Sequence, residues 1–251
     1  MLREQCHAAA HSPLRFHVSL ARGEDEVREA QRLRYKVFVE EMGARLANGE
    51  AGIDRDIYDP YCDHLLVRDG DSNEVIGTYR MLTAAQAKKI GGFYSQSEFD
   101  LTRLTYLTEN MVEVGRSCVH PDYRSGAVIS LLWAGLADYM RTHRAEYLMG
   151  CASISIADGG HVAASLYNHL KTDHLSPIEW RVFPRYPLPL ERLEQNLAVS
   201  APPLIKGYLR VGAYVCGDPA WDPDFNTADL LMLLPMSRIS PRYARHFLGK
   251  A

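Results

Sequence analysis

The sequence predicts a mixed α/β fold, a layered central sheet with helices on both faces. Three observations predict it. Strand-like and helix-like periods alternate along the 251-residue chain. Residues 64–68, 75–82 and 111–119 are strand-length runs that follow one another as a meander. Residues 111–154 then read strand, turn, long helix, strand. That is a βαβ unit, so its two strands should be parallel and joined by a right-handed crossover.

Taken in order, residues 1–13 form a ragged start and Leu14–Ala21 alternates as a strand. Glu24–Glu40 reads as a helix with Val27, Ala30, Leu33 or Arg34, and Val37 on one face and acids in its first turn. Residues 41–62 are a polar loop rich in Gly and Asp. His64–Arg68 and Val75–Leu82 pair through the turn signal Asp69-Gly70-Asp71. Residues 83–110 are irregular, with room for one short helix. Met111–Val119 is a strand, Ala127–His143 a helix, Glu146–Ile154 a strand and His161–Leu170 a helix. Glu179–Phe183 has strand character, and Pro184–Pro189 punctuates the chain as a boundary or crossover. The tail offers Pro202–Arg210, Ala213–Cys216 and the apolar strand Ala228–Leu234. We therefore expect a core over 14–183 and an extension over 184–251 that packs on it and completes the sheet.

The net charge of −3 does not favour a nucleic-acid surface. The five cysteines are odd in number and scattered, with no CxxC, so a reducing cytoplasm is expected and a zinc or disulfide framework is not. Cys118 and Cys151 read as core packing. His161, His169 and His174 lack metal spacing, so no metal is expected. The first twenty residues lack the apolar core of a secretion signal. No run approaches the ~20 apolar residues of a membrane span.

The stretch MVEVGRSCVHPDYRSGAVISLLWAGLADYM, residues 111–140, raises the chemical question. An apparently buried strand carries Glu113 and Arg116, then feeds a helix through Pro121, Arg124, Ser125 and Gly126. A helix N-terminus leaves backbone N–H groups unpaired and partly positive, so it suits a phosphate. Arg124 could add a charge-assisted contact. Gly126 is the turn's only glycine, which excludes a P-loop or dinucleotide fingerprint, and a plain tight turn competes as a reading.

This strand, turn, helix and following strand Tyr147-Leu148-Met149-Gly150 resemble the acyl-donor motif of the GNAT acyltransferases. The resemblance implies a GNAT-like mixed sheet whose fourth and fifth strands splay apart around a pantetheine arm. It assigns donor-phosphate contacts to Val119, Arg124, Ser125, Gly126, Ala127 and Val128. Family members that bind acetyl-CoA tend to carry glycine where Ala127 and Ile129 stand, so the single phosphate of a carrier-borne phosphopantetheine fits better than a CoA pyrophosphate. Arg34–Phe38, Asp59–His64, Gly77–Arg80 and Glu113–Arg116 resemble the ordered signature of the acyl-homoserine-lactone synthases. Ala44 stands near the position of their S-adenosylmethionine-site tryptophan, which argues against that substrate.

Arg34–Gly43, Glu113–Leu132 and Pro202–Leu234 are most similar to the bacterial ornithine lipid N-acyltransferases, a family also called hemolysin-like. The resemblance implies transfer of a 3-hydroxyacyl chain from acyl carrier protein to the α-amino group of ornithine. It implies no permanently bound cofactor, an acidic carrier partner, a cytoplasmic location and a peripheral contact with the inner membrane. Two other readings compete: a CoA-dependent N-acyltransferase on another amine, and a non-enzymatic membrane-active protein. The lack of a strongly amphipathic basic helix argues against the second.

Amide formation needs a neutral amine, and a carboxylate can take its proton. Glu113 is the candidate base, with pairing to Arg80 or Arg116 as its structural alternative. Gly115 lets backbone approach the thioester and offers an oxyanion donor near 115–117, or else marks a bulge. Arg34, Arg80 or Arg116 could fork to the acceptor carboxylate. Asp59 and Asp63 could hold its side-chain ammonium, or cap the loop at Pro60. Phe38 shares a helix face with Arg34. Leu131, Trp133, Leu148 and Met149 are candidate tunnel residues that also suit core packing. Arg124, Arg141, Arg144 and Lys171 are candidates for a basic patch facing the carrier.

Overall fold

The computed structural model describes residues 15–46 and 50–239. The expectations for Leu14, for Cys6 and for the end of the tail lie outside those residues. A seven-strand path runs through one sheet in the order β1 (Phe16–Leu20), β2 (Asp63–Asp69), β3 (Val75–Thr83), β5 (Met111–Val119), β6 (Tyr147–Ser155), β10 (Thr227–Pro235) and β8 (Tyr214–Val215). Strand β9 (Ala220–Asp222) also pairs with β10, and β4 (Phe99–Asp100) with β7 (Phe183–Pro184) makes a separate two-stranded ribbon. Among the named strands β5 and β6 alone pair with each other in parallel, as a βαβ connection requires; β6 and β10 are antiparallel in register from Tyr147↔Pro235 to Ser155↔Thr227. The tail thus supplies a nine-residue strand beside β6 in which every residue is buried.

Strand alternation sorts the two faces. Leu65 and Val67 of β2 pack with Val128, Leu132 and Leu136 of α3 (Ala127–Thr142), whereas Leu66 between them packs with Ala30 and Leu33 of α1 (Glu24–Arg34). Helices α4 (His161–Asp173) and α5 (Pro203–Val211) join the α3 side. Helix α2 (Ala84–Ile90) joins the other, where Ala87 meets Leu82, Met149 and Leu231. Helix α2 starts on a capping box, with Thr83 accepting from Gln86 N and the Gln86 side chain accepting in return.

Two expected elements change character. The first helix is α-helical only to Arg34; Tyr35–Glu41 continues as a π-helix, whose wider turn resets the side-chain angles after Arg34. Glu179–Phe183 is not a strand. Ile178–Trp180 is a 3₁₀ turn closed from Trp180 N to Pro177 O, and pairing begins only at Phe183.

Three local features shape the site. Strands β5 and β6 pair only over Met111↔Tyr147, Val112↔Leu148 and Glu113↔Met149, then part. At the fork they press together: a Cβ on Gly150 would sit 2.3 Å from the Val114 carbonyl oxygen. On its other edge β5 carries a bulge. Arg80 faces Gly115 and Thr78 faces Cys118, so β5 advances one residue further than β3, with Arg116 in the left-handed region at φ 49°. A bulge re-aims a side chain, here that of Arg116.

Candidate active site

The parted strands open onto a cavity of about 820 Å³. Its lining comes from both faces of the sheet. One side is Trp133 and Ile129 of α3 with Pro203, Leu204, Gly207 and Val211 of α5; the other is Phe38 and Met42 of the π-helical end with Tyr58 and Tyr94. Between them run Glu113–Val119 of β5 and Cys151 and Ser153 of β6. Gly115 faces open space, so a side chain there would project into ligand volume.

Glu113 stands at the fork, 4% exposed. It does not pair with Arg80 or Arg116. Its Oε2 accepts from Tyr94 N at 2.6 Å, and its Oε1 from Ser95 N at 2.7 Å and Ser95 Oγ at 2.5 Å. Burial raises its pKa above the ordinary carboxylate value, and the Ser95 and Tyr94 donors offset only part of that. Ser95 Oγ also lies 3.3 Å from Cys151 Sγ. Neither Tyr94 nor Ser95 was singled out in the sequence, because the segment carrying them has no period.

The arginines divide. Arg34 is wholly buried and does not line the cavity. Its Nε bonds Asp54 Oδ2 at 2.7 Å, and Nη1 and Nη2 fork onto Asp59 at 2.8 Å each. It therefore has no arm for a substrate carboxylate. Asp59 is equally occupied by Gln31, Arg34 and Arg80 and lies off the cavity, so it neither holds an acceptor nor serves only as a loop cap. Burial would raise the Asp59 pKa, but Arg34 and Arg80 override it and hold it well below the usual range. Asp63 accepts from Tyr139 Oη at 2.6 Å and Gln86 Nε2 at 3.2 Å, again off the cavity. These two corrections share a reason: charges that look available in a motif are already matched inside the fold.

Arg80 and Arg116 do reach the cavity. Arg80 Nη1 is held by Asp56 at 2.6 and 2.7 Å and by Asp59 at 3.0 Å. Arg116 is looser. Its Nη2 is 3.3 Å from Asp56 and its buried Nε has no hydrogen-bond partner; its guanidinium lies over the Phe225 and Tyr94 rings at 4.4 and 5.2 Å.

At the other end, Gly126 caps α3 with φ 99°, and no side chain bonds the first turn. Val119, Arg124 and Gly126 line the cavity there. Ser125 and Ala127 do not, and Val128 is buried in the core, where its Cγ1 would lie 2.5 Å from a Cβ on Gly77. Arg124 is forked to Glu41 at 2.6 and 2.7 Å and also bonds Val119 O. Of the tunnel candidates only Trp133 lines this cavity. Met149 is core, Leu131 packs against the core edge, and Leu148 lines a small separate cleft. Ala44 is buried and donates to Phe38 O at 2.8 Å.

A cavity threaded through a forked sheet, a bare helix N-terminus at one end and a buried carboxylate at the fork define a GNAT-type acyltransferase, and residues 33–134 match the acetyltransferase (GNAT) domain family. The chain belongs more narrowly to the L-ornithine N(alpha)-acyltransferases: it is 39% identical over 251 residues to that enzyme of Rhodobacter capsulatus, covering 95% of this chain and 96% of the relative. It is an N-acyltransferase. Among solved structures the fold is similar to FeeM, an N-acyl amino acid synthase from uncultured soil microbes, with TM-score 0.56, 13% identity and 90% and 93% of the two chains covered. It is also similar to the AHL synthase LasI, with TM-score 0.54, 11% identity and 94% and 96% covered. No helix among the described residues is long and apolar enough to cross a membrane.

Proposed function

We propose that the chain transfers a (3-hydroxy)acyl group from the phosphopantetheine thioester of acyl carrier protein to the α-amino group of ornithine, forming lyso-ornithine lipid. The observation that carries this reading is Glu113, a buried, cavity-facing carboxylate with a raised pKa at the point where β5 and β6 part. The name of the relatives supports ornithine as acceptor.

The acceptor's carboxylate lies against Arg116, whose Nε makes no hydrogen bond among the described residues and only a long 3.5 Å ion pair with Asp54. The acceptor ammonium loses one proton to Glu113, and the freed nitrogen attacks the thioester carbon. The C–N bond forms, the C–S bond breaks, and a second proton from nitrogen ends on the departing thiol. Backbone N–H groups of the 115–117 bulge face the developing oxyanion. The donor's phosphate rests at Gly126 with Arg124, and its acyl chain runs along Trp133, Leu204 and Val211. Because Ala127 and Ile129 give α3 no glycine-rich approach, a single phosphate suits this seat better than a pyrophosphate.

The test is mass spectrometry after incubation with 3-hydroxyacyl carrier protein, or with acetyl-CoA or acyl-CoA, and a panel of amino acids. N-acylornithine from the carrier thioester is expected. Acylation of another amine alone, or equal use of CoA thioesters, overturns the corresponding half of the reading.

A further inference from the structure

The cavity has a second set of carboxylates that the mechanism above leaves idle. Asp229 projects from β10, opposite Ser153 of β6, on the same face as Leu231, which faces Cys151. It lines the cavity, is 4% exposed, and its Oδ1 makes no hydrogen bond of normal geometry among the described residues, although Ser153, Thr227 and Glu98 lie close enough to offset part of its burial. Glu98 stands behind it, 9% exposed, with neither oxygen in a hydrogen bond of normal geometry among the described residues and only Tyr94 near enough to favour its charged form by hydrogen bonding. Oxygens of Glu98 and Asp229 and the Cys151 sulfur lie within 4.8 Å of one another. Asp222 joins from β9, also on the lining, and accepts from Asp224 N and Phe225 N. The group connects to the base, since Cys151 Sγ touches Ser95 Oγ and Ser95 Oγ touches Glu113.

Such an arrangement is costly in an empty protein. Buried carboxylate oxygens are normally matched, and these are not. Burial and mutual repulsion push Glu98 well up and Asp229 to about 6. Arg116 is held only loosely, by Asp54 at 3.5 Å and Asp56 at 3.3 Å, and makes no ion pair with these acids among the described residues. A cation that enters through the cavity would match these oxygens. An ammonium brings three N–H donors and one charge to oxygens that lack donors. A divalent metal is less suited, because Cys151 is pushed well toward its protonated thiol and hydrogen-bonds to Ser95.

We propose that Asp229, flanked by Asp222 and backed by Glu98, seats the side-chain ammonium of the acceptor and so selects a diamino acid over a neutral one. This rests on the proposed reaction: Arg116 takes the carboxylate, Glu113 faces the α-amine, and the flexible side chain reaches to Asp229. Sites built to pair a polar substrate group reject the analogue lacking it, because their own groups are then left unmatched.

The experiment compares ornithine with norvaline, which has the same carbon chain and no side-chain amine, using the carrier thioester and chelator-treated enzyme. For the native protein kcat/KM should favour ornithine by about 100-fold or more. In D229N this preference should fall by at least about 30-fold, the size of one lost charge-assisted hydrogen bond. D222N should reduce it less. Circular dichroism checks that each variant is folded. A preference unchanged in folded D229N, or equal losses for both amino acids, overturns the proposal, as does activity abolished by chelation. Binding of 1,4-diaminobutane by calorimetry separates the two readings. If ornithine is not acylated but the native protein binds the diamine and D229N does not, the cation seat stands and the proposed acceptor falls. Equal diamine binding by both overturns the seat.

Discussion

Glu113 and Arg34 show how differently two buried charges can be used. Glu113 accepts only hydrogen bonds from neutral donors and keeps a raised pKa facing the cavity. Glu113→Gln keeps the shape and removes the basicity, so kcat should fall at least about 100-fold with an unchanged circular dichroism spectrum. Retention of more than a tenth of the rate would remove Glu113 from proton transfer. Arg34 is the opposite case, matched on every arm by Asp54 and Asp59. Arg34→Met would strip Asp54 and Asp59 of their main partner, leaving Asp59 to Arg80 and Gln31 and Asp54 to the long Arg116 pair, a cost of about 3 kcal/mol. Urea unfolding should show that loss. A stable variant with a raised acceptor KM would instead make Arg34 a substrate contact. At this scale the sequence was legible where an acid interrupts an apolar strand, as at Glu113. Asp229 gives the same signal inside TADLLMLLP, yet reading that run as simply apolar hid it. Asp54 and Asp56 sit in a loop and Tyr94 and Ser95 in a single 3₁₀ turn, whose placement depends on tertiary contacts that no period encodes.

The β5–turn–α3 element was readable because each part has a local cause: alternation, then small turn residues, then a 3.6-residue period. The π-helical continuation of α1 was not, since Tyr35–Glu41 keeps apolar spacing compatible with an ordinary helix. Its consequence is local and functional. It brings Glu41 to the donor end of the cavity, where it forks onto Arg124. Both side chains are about two-fifths exposed, so the pair contributes no more than about 1 kcal/mol. It nevertheless sets a competition, because Arg124 cannot turn fully to a phosphate while held by Glu41. Glu41→Gln should lower the KM for acyl carrier protein about 2–5-fold, with the gain shrinking as salt is raised. A higher KM would show that Glu41 positions Arg124 for the donor. Arg141 is likewise paired, to Asp138, so the basic face read from α3 is weaker than its arginines suggest.

Across the whole molecule the forked sheet brings together two carboxylate populations with opposite pH behaviour. Asp59 is buried and Asp56 half-buried, yet Arg80 and Arg34 hold their pKa values low. Their contribution to stability is present above the unfolded carboxylate value of about 4 and is lost as pH falls below it. Asp229, Glu98, Asp222 and Glu113 are shifted upward, each chiefly by burial. The folded protein holds their protons more tightly than the unfolded chain does. That contribution is complete below about pH 4 and is lost as pH rises through the Asp229 value of about 6. The free protein should therefore be most stable in mildly acidic solution and weaken towards pH 8. Asp229→Asn removes one such proton site, and a shift from 3.8 to about 6 corresponds to roughly 2–3 kcal/mol. About half of that is already lost at pH 5, so urea unfolding at pH 5 and pH 8 should show the difference between the two shrinking by about 1–1.5 kcal/mol in Asp229→Asn. An undiminished difference would place the alkaline weakening elsewhere. The same imbalance explains why the cavity favours a cationic occupant: an ammonium beside Asp229 stabilises the charged carboxylates and restores at neutral pH what their burial costs.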